Sequence, residues 1–258
     1  MDRELQDHPV EPDRRARTKF DDRLAPWRRT LRYHGGRIAM QILVRVYLRP
    51  RLINREGWPT GPAVLCFNHL SWADPFLLYA VAPGRPRLYL YGPKESDLRV
   101  GKRNRLIKWF GTAVPFDPAR RDLLASTRRA LNVLVAGHLL GIAGEGRLSE
   151  EEGLVLPIHS GVAFFAIRAG LPIIPVGISG TRWLRYGKRV EVRVGSPIVT
   201  TGLRPDRATI AAVTEGVHAA LNRLLVPVSE SRVPGPVGRW LTDVFADRPW
   251  RNEGGGAS

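Results

Sequence analysis

The chain has 258 residues, 43% of them apolar, so it is long enough to bury a core of ordinary size and too apolar to be a disordered basic tail. Its 40 lysines and arginines outnumber 24 acidic residues, and the formal charge of +16 favours an anionic partner: lipid headgroups, nucleic acid or phosphorylated substrates. The single cysteine, Cys66, excludes an intrachain disulfide and a four-cysteine metal site.

Residues 1–22 are charged and lack apolar periodicity. They are expected to form a flexible N-terminal segment, and their charge argues against a secretory signal. A second segment, 23–55, changes character. From Trp27 to Leu48, Ile38, Met40, Ile42, Leu43 and Val46 alternate with Arg37, Arg45 and Arg49. This pattern predicts a helix, interrupted near its start by Gly35-Gly36, whose mixture of apolar and basic side chains suits docking on a membrane. No uncharged apolar run approaches the roughly 20 residues that span a bilayer. Membrane contact is therefore expected to be peripheral or interfacial, on the cytoplasmic face.

Residues 56–226 alternate strand and helix patterns. Strands are predicted at Ala63–Phe67, Arg87–Tyr91, Leu139–Ala143, Pro172–Ile178 and Val190–Val194, with an apolar segment at Phe76–Val81. Helices are predicted at Leu123–Val135, Gly161–Ala169 and Ile210–Leu225. Between Val100 and Gly111, Lys102, Arg103, Arg105 and Lys108 accompany Leu106, Ile107, Trp109 and Phe110, a pattern that can hold cations above an apolar face. Pro172 and Pro175 donate no backbone hydrogen bond, so their strand is expected at a sheet edge or as a rigid pocket wall. The fold class that follows is α/β, a mixed central sheet flanked by helices with an N-terminal helical membrane-docking region. Residues 227–258, with Pro227, Pro234 and Pro236, are expected to be an irregular extension.

The chemistry concentrates at predicted strand ends. Asn68-His69 and then Asp74 follow the Ala63–Phe67 strand. A histidine can take a proton near neutral pH while a carboxylate on its second nitrogen holds the useful tautomer. Gly144-Glu145-Gly146-Arg147 follows the Leu139–Ala143 strand. Its glycines allow close approach of a ligand, and Arg147 offers several donors to a phosphate. Strand ends of open α/β sheets border ligand crevices. The six histidines lack metal-ligand spacing, which argues against a metal-dependent hydrolase. No zinc finger, basic zipper or RNA-binding aromatic motif is present, so nucleic acid is not expected as a partner.

These residues resemble the glycerolipid acyltransferases that make phosphatidic acid from 1-acylglycerol 3-phosphate. Asn68-His69-Leu70-Ser71-Trp72-Ala73-Asp74-Pro75 looks like the family's His-x-x-x-x-Asp block, Gly144–Arg147 like its acceptor-phosphate block, and Leu171–Val176 like its proline-containing block. The resemblance covers about residues 60 to 200. It implies His69 as general base oriented by Asp74, with substrate bound by Asn68, Glu145, Gly146 and Arg147. It further implies acyl-CoA or acyl carrier protein as donor cosubstrate, a lysophospholipid acceptor, an anionic membrane surface and no tightly bound cofactor. Where many relatives carry an arginine this chain has Pro118, and Arg120 or Arg121 is expected to take over that contact. His159 stands where relatives often carry lysine. Another lipid or glycolipid acceptor, or a nonenzymatic basic membrane-binding role, stays open at this point.

Overall fold

The apolar runs between turn residues become the centre of the sheet. The structure is a computed structural model that describes residues 26–93, 109, 111–116, 123–149, 152–226 and 235–240. The expectations for residues 1–22, for most of the basic segment before Gly111, and for Pro118, Arg120 and Arg121 lie outside the described residues.

Strands β1 (Leu48–Ile53), β2 (Ala63–Phe67), β3 (Leu88–Pro93), β4 (Ala113–Phe116), β5 (Leu139–Ala143), β6 (Ile173–Ser179) and β7 (Lys188–Val194) form one sheet, in the order β1-β7-β6-β2-β5-β3-β4. β2 pairs in parallel with β5 and β6, and β3 with β5 and β4. β7 runs antiparallel to β6 and parallel to β1, so the sheet is mixed. Every residue of β2 and β6 is buried. Strands covered on both faces read as continuous apolar runs for this reason. On one face lie α1 (Pro26–Tyr47) and α2 (Ala73–Val81), packed over Leu65, Leu88, Ile174, Val176 and Val190. On the other lie α3 (Leu123–Val135), α4 (Gly161–Ala169) and α5 (Arg207–Leu224), over Val64, Cys66, Leu140 and Ile173.

Three local expectations are corrected. α1 runs unbroken through Gly35-Gly36. Each glycine costs about 1 kcal/mol in a helix interior, whereas each large apolar side chain buried contributes about 1.5–3 kcal/mol. Tyr33, Met40 and Val44, at most 7% exposed, bind the helix to the core and outweigh both glycines. The proline-bearing strand β6 is interior, flanked by β2 and β7. Pro175 is accommodated because the β7 ladder ends just before it: the last pair is Val176 with Val194, and paired residues return only as the isolated Ile173–Ile198 bridge. The Pro175 carbonyl still accepts from the Gly195 N–H at 2.8 Å.

β1 falls within the segment expected to be helical, and it joins the sheet as an edge strand. Pro50 fits there because one side of an edge strand needs no partner. α1 also holds the C-terminal end of α2. Arg37 donates from Nε and Nη2 to the Ala82 carbonyl at 3.1 and 2.6 Å, and Gln41 donates to the Ala80 carbonyl at 3.0 Å. These carbonyls have no partner within α2, so side chains from α1 satisfy them. Among the described residues no helix is long and apolar enough to cross a membrane.

Candidate active site

Three adjacent parallel strands, β6, β2 and β5, carry the chain to one end of the sheet. The segments that leave them converge there. Asn68 is fully buried and spends both ends of its amide on β6: Nδ2 donates to the Ile178 carbonyl at 2.9 Å, and Oδ1 accepts from the Ile178 N–H at 2.7 Å. The side chain expected to contact substrate thus continues the β2–β6 pairing one residue past the strand and fixes the start of the His69 loop.

His69 Nδ1 lies 3.0 Å from Asp74 Oδ2. That same oxygen accepts from the Leu70 and Ser71 N–H groups at 2.7 and 2.9 Å. Oδ1 accepts from the Thr181 hydroxyl at 2.5 Å. Asp74 is completely buried, in the first turn of α2, and its four donors are the compensation a buried carboxylate requires. With a carboxylate on Nδ1, the proton sits on that nitrogen and Nε2 keeps its lone pair. Nε2 has no hydrogen-bond partner among the described residues, and the His69 side chain is 9% exposed. Phe67 and Trp72 meet the imidazole edge-on, with centroids 6.1 and 5.4 Å away. The arrangement can remove a proton from a hydroxyl brought to Nε2.

The β5 turn is tied to the same loop. Glu145, 2% exposed, accepts from the His69 N–H at 3.4 Å on one carboxylate oxygen and from the Leu156 N–H at 3.1 Å on the other. The Ser149 N–H donates to the His69 carbonyl at 2.7 Å, so the histidine's backbone is held from both sides. Burial pushes the Glu145 carboxyl up from 4.5 to about 7, against the opposing pull of the Leu156 and His69 N–H groups and the His69 ring, while Asp74 adds to the rise. In the folded state the protonated form is therefore favoured relative to the unfolded chain. The stability this contributes is fully present below about pH 4.5 and is lost as the pH rises to about 7. The unfolding free energy of the wild type relative to Glu145→Gln should accordingly fall by about 2 kcal/mol between pH 5 and 7. Denaturant titrations across that range check it, and a difference that stays constant would mean that Glu145 does not titrate there.

Gly146 has φ +65°, and a Cβ there would fall 2.6 Å from the His159 ring. The left-handed backbone favours glycine, whereas the His159 ring is the end of an exposed side chain and can swing aside. Arg147 follows on the same turn, exposed and without an ion pair or hydrogen bond among the described residues. The guanidinium is free to meet an anion. His159 is exposed, and its N–H donates to the Gly144 carbonyl at 2.8 Å. Cys66 is inert: it is wholly buried in β2, and burial holds its thiol well above the usual range. Among the described residues no group of three or more His, Cys, Asp or Glu side chains is placed to hold a metal ion. Sequence reasoning missed Thr181. It lies 107 residues from Asp74 in sequence, and a lone threonine after a strand carries no pattern that points to a distant carboxylate.

Residues 49–179, just over half of the chain, match the acyltransferase family. The chain belongs to the acyltransferase family. The matched span of this acyltransferase contains His69, Asp74 and Gly144–Arg147, and Thr181 lies just beyond it. One similar protein is the 1-acyl-sn-glycerol-3-phosphate acyltransferase alpha of Bos taurus, 27% identical over 157 residues, which are 57% of this chain and 53% of that protein. The chain thus spans about half the length of that relative. Its fold is shared with the 1-acyl-sn-glycerophosphate (LPA) acyltransferase PlsC from Thermotoga maritima: the crystal structure superposes with a TM-score of 0.54 at 18% identity, covering 79% of this chain and 81% of that one. Membership of the family and a buried His/Asp pair with an arginine on the neighbouring turn are thus found in one chain.

Proposed function

We propose that this acyltransferase moves a fatty acyl group from an acyl thioester, acyl-CoA or acyl carrier protein, to a hydroxyl of a lysophospholipid. The foremost acceptor is 1-acylglycerol 3-phosphate, which gives phosphatidic acid. The observation that carries this reading is the open Nε2 of His69, with Asp74 on the opposite nitrogen and Glu145 joining the loop to the turn that bears Arg147. His69 Nε2 removes the hydroxyl proton as the oxygen attacks the thioester carbonyl. The tetrahedral adduct collapses, the C–S bond breaks, and the departing thiolate takes the proton from the imidazolium. Asp74 stabilises that imidazolium through Nδ1–H. Direct transfer suffices, because Cys66 is buried within β2 and no Gly-x-Ser-x-Gly nucleophile elbow occurs in the sequence.

Arg147 binds the acceptor phosphate through paired, charge-assisted hydrogen bonds, supplemented by Arg120 or Arg121, and thereby places the hydroxyl at His69. α1 docks on an anionic membrane. Trp27, Leu31, Ile38, Ile42 and Val46 each expose more than half of their surface, spaced three to four residues apart around Gly35, and Arg28, Arg32 and Arg45 lie beside them on the same helix. The test combines purified protein, each thioester donor and a panel of lysophospholipid and glycolipid acceptors, with the products read by lipid mass spectrometry. No acylated product from any pair would overturn the reading. Arg147→Ala should raise KM for a phosphate-bearing acceptor by about 10- to 100-fold and leave an acceptor without phosphate unaffected. An unchanged KM would remove Arg147 from phosphate recognition.

A further inference from the structure

A cavity of about 670 Å³ lies between α1, the C-terminal end of α2 and β1, on the far side of α2 from the reacting histidine. It touches α2 at Ala80–Ala82, whereas Asp74 stands in the first turn of the same helix. A rise of 1.5 Å per residue separates the two by about 12 Å. Arg37, Arg45, Arg55 and Arg85 line this cavity against one carboxylate, Glu56. None of the four guanidiniums forms an ion pair among the described residues. Arg37 is held in place by its two bonds to the Ala82 carbonyl, which leave Nη1 without an acceptor among those residues.

Trp58 lines the same cavity and is 9% exposed. The wall is thus rich in donors, positively charged and short of acceptors, which is the complement of a phosphate. Arg45 stands on α1 between Ile42 and Val46, which are 60% and 65% exposed, so the cavity adjoins the apolar stripe of that helix. A phosphate delivered on a lipid can enter here while its acyl chains lie along α1.

We propose that this cavity is a second anion site, distinct from the His69 site, and that it takes the phosphate of an anionic phospholipid headgroup. The choice of a lipid source rests on α1 docking to membranes. The test measures binding of the full chain to phosphatidylcholine vesicles with and without phosphatidylglycerol. The combined Arg55→Gln and Arg85→Gln variant, which leaves every arginine of α1 in place, should bind the phosphatidylglycerol vesicles about tenfold or more weakly, each juxtamembrane arginine being worth roughly fivefold. Arg85→Gln alone should weaken binding by about threefold or more. Arg204→Gln with Arg207→Gln removes the same charge next to α5, on the opposite face of the sheet, and should have less than a roughly twofold effect.

Equal losses in the pocket pair and the α5 pair would overturn the site in favour of general charge attraction. Pocket variants that bind like the wild type would overturn it outright. Free glycerophosphoglycerol binding wild type, and not the pocket variants, as tightly as the vesicles do would overturn the lipid source. Failure of the wild type to bind either kind of vesicle would overturn docking by α1 instead. Acyl transfer to a short-chain lysophospholipid in solution should be unchanged in every variant, and a loss there would mean that the cavity is not separate from the His69 site.

Discussion

Replacing His69 by alanine, or Asp74 by asparagine, should lower kcat for acyl transfer by about 10³- to 10⁴-fold in protein that remains folded. The two variants fail for different reasons. Alanine removes the nitrogen that takes the hydroxyl proton. Asparagine keeps the shape of the aspartate and, with its oxygen in the Oδ2 position, still accepts from His69 Nδ1, Leu70 N–H and Ser71 N–H. Its amide then faces Thr181, whose hydroxyl can turn from donor to acceptor, so the local structure survives. What is lost is the negative charge beside the imidazolium. KM for the acceptor should change little, because neither residue is assigned to binding. Thiol release from the thioester donor, followed with variants whose circular dichroism matches the wild type, reads both effects. Wild-type turnover in either variant would remove the pair from the reaction.

Gly180→Ala should destabilise the protein by about 2–4 kcal/mol and lower activity with it. Gly180 has φ +89°, a region side chains rarely enter, and a Cβ there would meet the Arg189 carbonyl oxygen at 2.8 Å and the Val190 Cα at 3.3 Å. Those atoms belong to β7, inside the sheet, so they cannot swing aside as the end of a long side chain can. The Gly180 N–H also donates to Glu152, and the next residue is Thr181. A shift of the backbone at Gly180 therefore pulls the hydroxyl away from Asp74 Oδ1. Denaturant midpoints measure the first effect and kcat the second. Wild-type stability would mean that the turn relaxes without strain.

Continuous apolar runs and helical periodicity were enough to place β2, β5, α3 and α4 at the boundaries the structure has, because each pattern is local. Strand order was not legible. β2 lies between β5 and β6, and nothing near Ala63–Phe67 announces partners that come much later in the chain. β1 escaped notice because its arginines and Pro50 continue the basic, apolar mixture of α1. That Pro175 lies in an interior strand and not at a sheet edge has a tertiary reason: the end of the β7 ladder that tolerates it arises only on folding. At the candidate site, residue types that carry chemistry at strand ends point to His69, Asp74 and Glu145, and the structure brings the three together. The structural use of Asn68 and the bond from Thr181 were not legible, since both consist of contacts more than 100 residues apart in sequence.

The grip of Arg37 and Gln41 on the last carbonyls of α2 makes that short helix a strut of fixed length. One end is anchored to α1 and the other presents Asp74, and with it His69. If α1 rests on a bilayer, the reacting nitrogen stands at a set offset from the lipid surface, and an acceptor is reached according to how far its hydroxyl projects from that surface. Head-group geometry, rather than acidity or nucleophilicity, then becomes the quantity that sorts one lysolipid from another.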